Sequence, residues 1–391
     1  MGTSLAFMIL FGLLMAALFN RLHIPGLLGM IVVGIILGPY GLNFLSKDIL
    51  SISADLRQIA LLVILLRAGL GIKKEAIKKV GRPAIYLSFI PGLFEGFTIA
   101  LISIYLFHFT FIQGGILGFI IAAVSPAVVV PSMLDLIQQG IGEAKSIPTL
   151  ILAGASIDDV VAITIFSVFL GMYGGHQLHL ATQLLSIPLS IFLGIVLGVL
   201  FGWSLLLLFK RFSIRHTKKV LVLIACAILL TRIETLFKDQ VAIASLLGVM
   251  AMGFLINEKN PNLGKQLSQH LNKIWVFAEL LLFILVGAQV NVALALNAGI
   301  KGIILITIGL IARSIGVYLS LLGTDLNTKE KWFCMIAYTP KATVQAAIGS
   351  IPLAMGVASG DLILSLAVLA IVITAPLGAF FIKRTGPLFL K

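Results

Sequence analysis

Charge is what this sequence has least of. Only 11% of its 391 residues are Asp, Glu, Lys or Arg, while 60% are hydrophobic and the mean hydropathy is +1.14. A soluble domain carries about a quarter charged residues, so a water-soluble globule is excluded. Cysteine is nearly missing: Cys226 and Cys334 lie in separate apolar runs, which rules out a disulfide framework and a thiolate metal cluster. The six histidines sit in or near polar breaks, and His176 with His179 reads as a solvated pair rather than a zinc site. No cofactor or resident metal is implied. Alternating ten-residue strands are absent too, which excludes an outer-membrane barrel.

What is present is a succession of continuous apolar runs long enough to cross a bilayer as helices, about 20 residues each. They predict thirteen spans at roughly 3–20, 25–45, 55–72, 82–107, 112–136, 146–171, 182–209, 217–237, 240–257, 272–290, 295–322, 331–357 and 361–382. The first has no basic leader or cleavage site and is read as a span rather than a signal peptide. No soluble domain fits between them. The expected fold is an all-α polytopic membrane protein.

Acidic residues are scarce relative to basic ones, 15 against 28, giving a net charge of +13. Most of the basic residues fall in loops after odd-numbered spans, as in "KKEAIKKVGR" at 73–82 and "KRFSIRHTKK" at 210–219, whereas Lys47, Lys238 and Lys301 fall on the other side. The positive-inside bias then places the N-terminus outside and the C-terminus in the cytoplasm, and attraction to anionic lipid accounts for the charge without nucleic-acid binding. A short chain without a targeting extension is read as a prokaryotic inner-membrane protein. "NEKNPNLGKQLSQHLNK" at 257–273 reads as a solvated cytoplasmic loop, with a short interfacial helix that senses pH through His270 as the alternative.

Charges inside spans are costly and functional by default. Arg57, Arg67, Arg232 with Glu234, and Glu279 lie near span ends, where snorkelling or an interfacial role suffices. Glu95, Asp158, Asp159, Arg313 and Lys341 lie deeper. In "LAGASIDDVVAITIF" the two aspartates are about 18 Å from either end of their span at 1.5 Å per residue.

Two spans are interrupted in the middle. "AAVSPAVVVPSM" at 122–133 and "AYTPKATVQAAIGSIP" at 337–352 place Ser125-Pro126 and Thr339-Pro340 where a helix interior should be, so both helices are expected to kink or unwind. Ser125 and Thr339 are 214 residues apart, and Glu95 and Arg313 are 218 apart on spans 4 and 11. The chain therefore divides into two six-span halves offset by seven spans, with span 7 as connector. Seven is odd, so the repeat is inverted. Crossed broken helices point half-helix ends at the midplane, where C-termini and freed carbonyls attract a cation. Lys341 and the Asp158/Asp159 pair supply fixed charges at that crossing. Adjacent helical residues point about 100° apart, so one aspartate faces the cavity as the cation ligand and the other turns toward a neighbouring helix, hydrogen-bonded or held by a positive partner. A proton and a cation then compete for the buried carboxylates, which is sufficient for exchange if the empty, ionised site is too costly to move.

"LLRAGLGI" at 65–72, "AVSPAVVVPSML" at 123–134, "GASIDDVVAITIF" at 154–166 and "TPKATVQAAIGSIP" at 339–352 together resemble the cation/proton antiporter superfamily, in particular the NHA-type branch of its type 2 sodium/proton antiporters. The resemblance covers essentially the whole chain. It implies a homodimer in which a moving core, 82–171 and 295–382, slides like an elevator against scaffold helices at 1–72 and 217–290, with 182–209 as linker. It implies that Asp159 is the principal ion and proton carboxylate, with Asp158 beside it and Ser125 and Thr343 nearby. It further implies that Lys341 balances the helix ends and that Arg313 pairs with Glu95. Electrogenic relatives carry a lysine where this chain has Arg313. Arginine does not titrate, so the expectation is a locked Arg313–Glu95 pair, Asp158 left without its usual partner, and nearly electroneutral exchange of sodium or lithium for protons. A potassium/proton antiporter is the near alternative. A sodium-coupled organic-anion symporter shares crossed helices, but it does not require a proton-titrating pair. An intramembrane aspartyl protease needs carboxylates facing each other from separate helices, whereas these two are adjacent.

Overall fold

The computed structural model describes the chain apart from residues 23–25, 72–73, 174–179, 213–214, 238–240, 242, 291, 350 and 391. The expectations placed on Lys73, His176, His179 and Lys238 lie outside the described residues. Seventeen helices follow one another without a strand among the described residues. The first spans are α1 (Gly2–Arg21), α2 (Gly26–Leu37) and α4 (Ser53–Gly71), with the short α3 (Lys47–Ser51) before α4. Next come α5 (Lys74–Phe107), the pair α6 (Phe111–Ala122) and α7 (Pro126–Gln138), α8 (Ile147–Tyr173) and α9 (Leu180–Arg211). The second half comprises α10 (His216–Phe237), α11 (Ser245–Lys259), α12 (Pro261–Ala288) and α13 (Val292–Ser320). It ends with the broken set α14 (Thr328–Ala337), α15 (Thr343–Ile348) and α16 (Ile351–Ala354), then α17 (Gly360–Phe389).

Each of the thirteen expected spans corresponds to one helix or one broken helix. By length and composition, nine stretches of helix among the described residues can cross a membrane, and this is a multi-pass integral membrane protein. Packing follows the inverted repeat. Helix α5 packs on its repeat mate α13, and α2 against α12 is matched by α11 against α4. Ile99, Ile116, Phe119, Phe166, Leu305 and Leu366, contributed by α5, α6, α8, α13 and α17, form one apolar cluster around the broken helices. A larger cluster including Leu66, Met252, Leu267 and Phe283 joins α4, α11 and α12.

Two segments differ from the sequence reading. Residues 261–273 are not a loop: Asn260 caps the backbone N–H of Leu263, Pro261 opens the helix, and α12 runs unbroken through them to Ala288. The polarity of that stretch suggested a loop, but a capped helix can leave the bilayer with polar residues on its first turns. In α13 the helix is interrupted at Gly299, whose φ of 52° and ψ of −152° suit glycine alone, and the stretch able to cross a membrane begins there. Arg67 has not snorkelled. It is 8% exposed, with its guanidinium 5.6 Å from the Trp275 ring centroid.

The broken helix approaches α5 closely because Gly118 faces Gly96. A Cβ at Gly118 would meet the Gly96 carbonyl, which is backbone and cannot turn aside. Gly118→Val is expected to destabilise the packing by about 1–3 kcal/mol. A thermal melt in detergent should show a transition several degrees lower, and an unchanged midpoint would contradict the close contact.

Candidate ion-exchange site

Both mid-span breaks are real departures from helix. Helix α6 ends at Ala122, Ala123 is extended at φ −66° and ψ 135°, and Ser125 precedes Pro126, the first residue of α7. Proline is suited to that first position because it needs no N–H donor there. In the second half α14 ends at Ala337 and α15 starts at Thr343, leaving Thr339, Pro340 and Lys341 between them. The breaks touch: the Ser125 amide N–H donates to the Pro340 carbonyl at 2.8 Å. Each break also frees an amide that the last helix of its half satisfies. The Val124 N–H donates to Asp158 Oδ2 on α8 at 3.1 Å, and the Lys341 N–H to Thr374 Oγ1 on α17 at 2.9 Å.

Five ionisable side chains meet here, all at most 5% exposed. Arg313 Nη1 lies 2.8 Å from Glu95 Oε2, and Nη2 lies 2.8 Å from Asp158 Oδ2. Its Nε donates to the Tyr338 carbonyl at 2.6 Å, and Nη1 also donates to the Ala122 carbonyl. The guanidinium carbon sits 5.3 Å from the Tyr338 ring centroid. Lys341 Nζ shares Glu95 Oε2 at 2.6 Å and reaches the Ala122 carbonyl at 3.4 Å. Gly92 has no side chain where Asp158 Oδ1 sits: a Cβ there would stand 3.0 Å from that oxygen.

This arrangement corrects two expectations. Asp158 is not left without a partner, because the planar guanidinium has enough donors to hold Glu95 and Asp158 together. Nor are the carbonyls freed at the end of α6 left for a cation. Ala122 is taken by Arg313 and Lys341, and the Gln345 side-chain amide donates to Ile120, Ile121 and Ala123 at 3.0, 3.2 and 2.8 Å. Gln345, Thr374 and Tyr338 escaped the sequence reading because they carry no charge at neutral pH. A polar residue in a broken span was the signal that could have found Gln345.

Asp159 stands apart. Among the described residues it has no hydrogen-bond or ion-pair partner, and its Oδ1 is buried and unpaired. The hydroxyls of Ser125 and Thr343 are buried and unpaired as well. Carboxylate and hydroxyl oxygens are the ligands a hard cation takes. No group of three His, Cys, Asp or Glu suited to a resident metal occurs among the described residues.

Comparison with known proteins fits this geometry. Residues 6–385 match the family described as "Sodium/hydrogen exchanger, transmembrane". Sodium/hydrogen exchanger 9B2 of Homo sapiens is 34% identical over 391 residues, spanning 94% of this chain and 70% of that one. Sodium/hydrogen exchanger 9B1 of Homo sapiens is 32% identical over 388 residues, spanning 94% and 73%. The solved structure of the sodium proton antiporter MjNhaP1 from Methanocaldococcus jannaschii at pH 8 shares the fold, with a TM-score of 0.81 at 20% identity over 99% of this chain and 97% of that one. These vertebrate relatives lend no support to the prokaryotic membrane read from the sequence. With its broken helices, buried carboxylates and a match over nearly its whole length, the chain belongs to the transmembrane sodium/hydrogen exchanger family.

Proposed function

We propose that the protein exchanges one sodium or lithium ion for one proton at Asp159, with no net charge moved per cycle. The observation that carries this reading is the pairing pattern. Glu95, Asp158 and Asp159 bring three negative charges, and Arg313 and Lys341 bring two positive ones. The salt bridges join Lys341 and Arg313 to Glu95 and Arg313 to Asp158, leaving Asp159 alone. One bound cation or one proton on Asp159 brings the network to neutrality. A net charge buried at this depth costs several kcal/mol, so the empty, ionised carrier moves rarely and the two loaded forms move freely. Near-electroneutral exchange therefore follows from Asp158 being held by Arg313, not from Asp158 being free.

The transport cycle is proposed to move a core of residues 82–171 and 295–382 against scaffold helices at 1–72 and 217–290, joined by 182–209, within a homodimer. The crossing of the two broken helices lies inside that core, so the ion site would travel with it. The N-terminus is placed outside and the C-terminus in the cytoplasm from the bias of basic residues. Ser125 and Thr343 are assigned as the hydroxyl ligands beside Asp159.

Purified protein in liposomes containing a pH-sensitive dye provides the test. Under an imposed proton gradient, sodium or lithium should shift the dye signal at a rate insensitive to clamped voltage, and Asp159→Asn should abolish it. A robust voltage dependence would overturn one-for-one exchange, and a response to potassium alone would reassign the cation.

The charge balance gives a second test. Glu95→Gln and Lys341→Met each break a buried pair and should destabilise the protein by about 3–5 kcal/mol while abolishing exchange. Their combination removes one charge of each sign and leaves Arg313 with Asp158. The double variant should recover measurable exchange that neither single variant shows. Loss as complete as in the singles would refute the charge-balance argument.

A further inference from the structure

The C-terminal end of α6 is the part of the crossing most suited to a second cation, and it is already occupied. Ile120, Ile121 and Ala123 offer three carbonyl oxygens around one side chain, Gln345, which is 1% exposed. The convergence of three acceptors on Nε2 fixes which way the amide faces, because the reverse orientation would set Oε1 against three carbonyl oxygens. The other end of the amide shows what this orientation costs: Oε1 is buried and has no partner. Beside the two cations on the Ala122 carbonyl, an uncharged donor thus takes the remaining carbonyls at the negative end of the half-helix, where a further positive ion would otherwise fit.

We propose that Gln345 is the residue that sets the ion count, its amide nitrogen standing in for a second cation at the α6 carbonyls so that only Asp159 takes a transported ion. The assignment rests on the one-for-one reading above and deepens it. It explains why a site rich in freed carbonyls takes a single charge. Arg313 and Lys341 close the fourth carbonyl, Ala122, with formal charge. Gln345 closes the other three without adding any, and a lysine there would cancel the single negative charge that the exchange needs.

The test replaces Gln345 with methionine, which nearly preserves the volume and removes both donors. Sodium bound per protomer is measured by radioisotope equilibrium binding on the purified protein, and sodium-to-proton coupling by the reversal potential in liposomes. Wild type should bind one sodium per protomer. Gln345→Met should bind a second, and its exchange should become voltage-dependent. A folded Gln345→Met that still binds one sodium and ignores voltage would overturn the proposal. If Gln345→Met does not fold, Gln345→Glu provides the sodium-count readout alone, since its carboxylate together with the three carbonyls should recruit a second sodium. Failure of both variants to fold would make Gln345 a structural clamp and would also overturn the proposal. The wild-type measurement separates the two readings: two sodium ions bound by wild type would refute one-for-one exchange itself, whatever the variants do.

Discussion

Arg313 is the interaction on which the crossing depends. Its side chain, 1% exposed, satisfies acceptors on four elements: Glu95 on α5, the last carbonyl of α6, Asp158 on α8 and the carbonyl of Tyr338 at the end of α14. Two broken helices meeting in an apolar core leave buried carbonyls without helical partners, and two carboxylates would repel each other there. A single rigid fork of N–H donors resolves both problems. Lysine offers three donors on one atom and cannot span four directions, and so it serves here as the second cation, on Glu95 and Ala122, rather than the first.

The repeat supplies the cradle, and its departures from symmetry supply the chemistry. In each half the last helix returns a side chain to the amide freed at the break. In the first half it is a carboxylate, Asp158 to Val124, and in the second a hydroxyl, Thr374 to Lys341. The geometry is shared, but the charge is not. All the acidity of the crossing therefore comes from α5 and α8 in the first half, and both cations come from α13 and the second break. That segregation brings the charged side chains of one half onto those of the other, since Glu95 and Arg313 sit on α5 and α13, the repeat mates that pack together.

Most of this was legible in the chain. Continuous apolar runs locate the spans because a bilayer demands length, and Ser125-Pro126 with Thr339-Pro340 locate the breaks because proline cannot sit quietly in a helix. The equal offset between these breaks reveals the repeat. What the chain did not show is where long side chains end. Arg313 reaching both Glu95 and Asp158 depends on three helices converging within the length of one guanidinium, and spacing along one chain does not encode that distance. Gln345 was hidden differently. Neutral amides attract no notice in a charge inventory, yet here one amide carries three carbonyls. The loop read at 257–273 failed because polarity marks the membrane boundary, not the end of a helix, and Asn260 with Pro261 was the capping signal that mattered.

On the exchange reading, tight coupling needs no gate beyond this charge network. In the proposed cycle the Glu95–Arg313–Asp158 bridge and the Lys341–Glu95 pair stay in place, so their desolvation is common to every state and cancels from the comparison. In that proposed cycle only Asp159 alternates, between sodium and a proton, and both leave the network neutral. The empty form carries one uncompensated charge. At membrane depth that costs about 2.5–3.5 kcal/mol even by the lower scales, and each 1.4 kcal/mol is about a factor of ten in population. Movement of the unloaded carrier is then suppressed about 60- to 300-fold relative to the loaded forms. In this proposal the fixed pairs set the coupling without binding the transported ion: by pairing every other charge at the crossing, they leave Asp159 as the single place where loading decides whether the site can move.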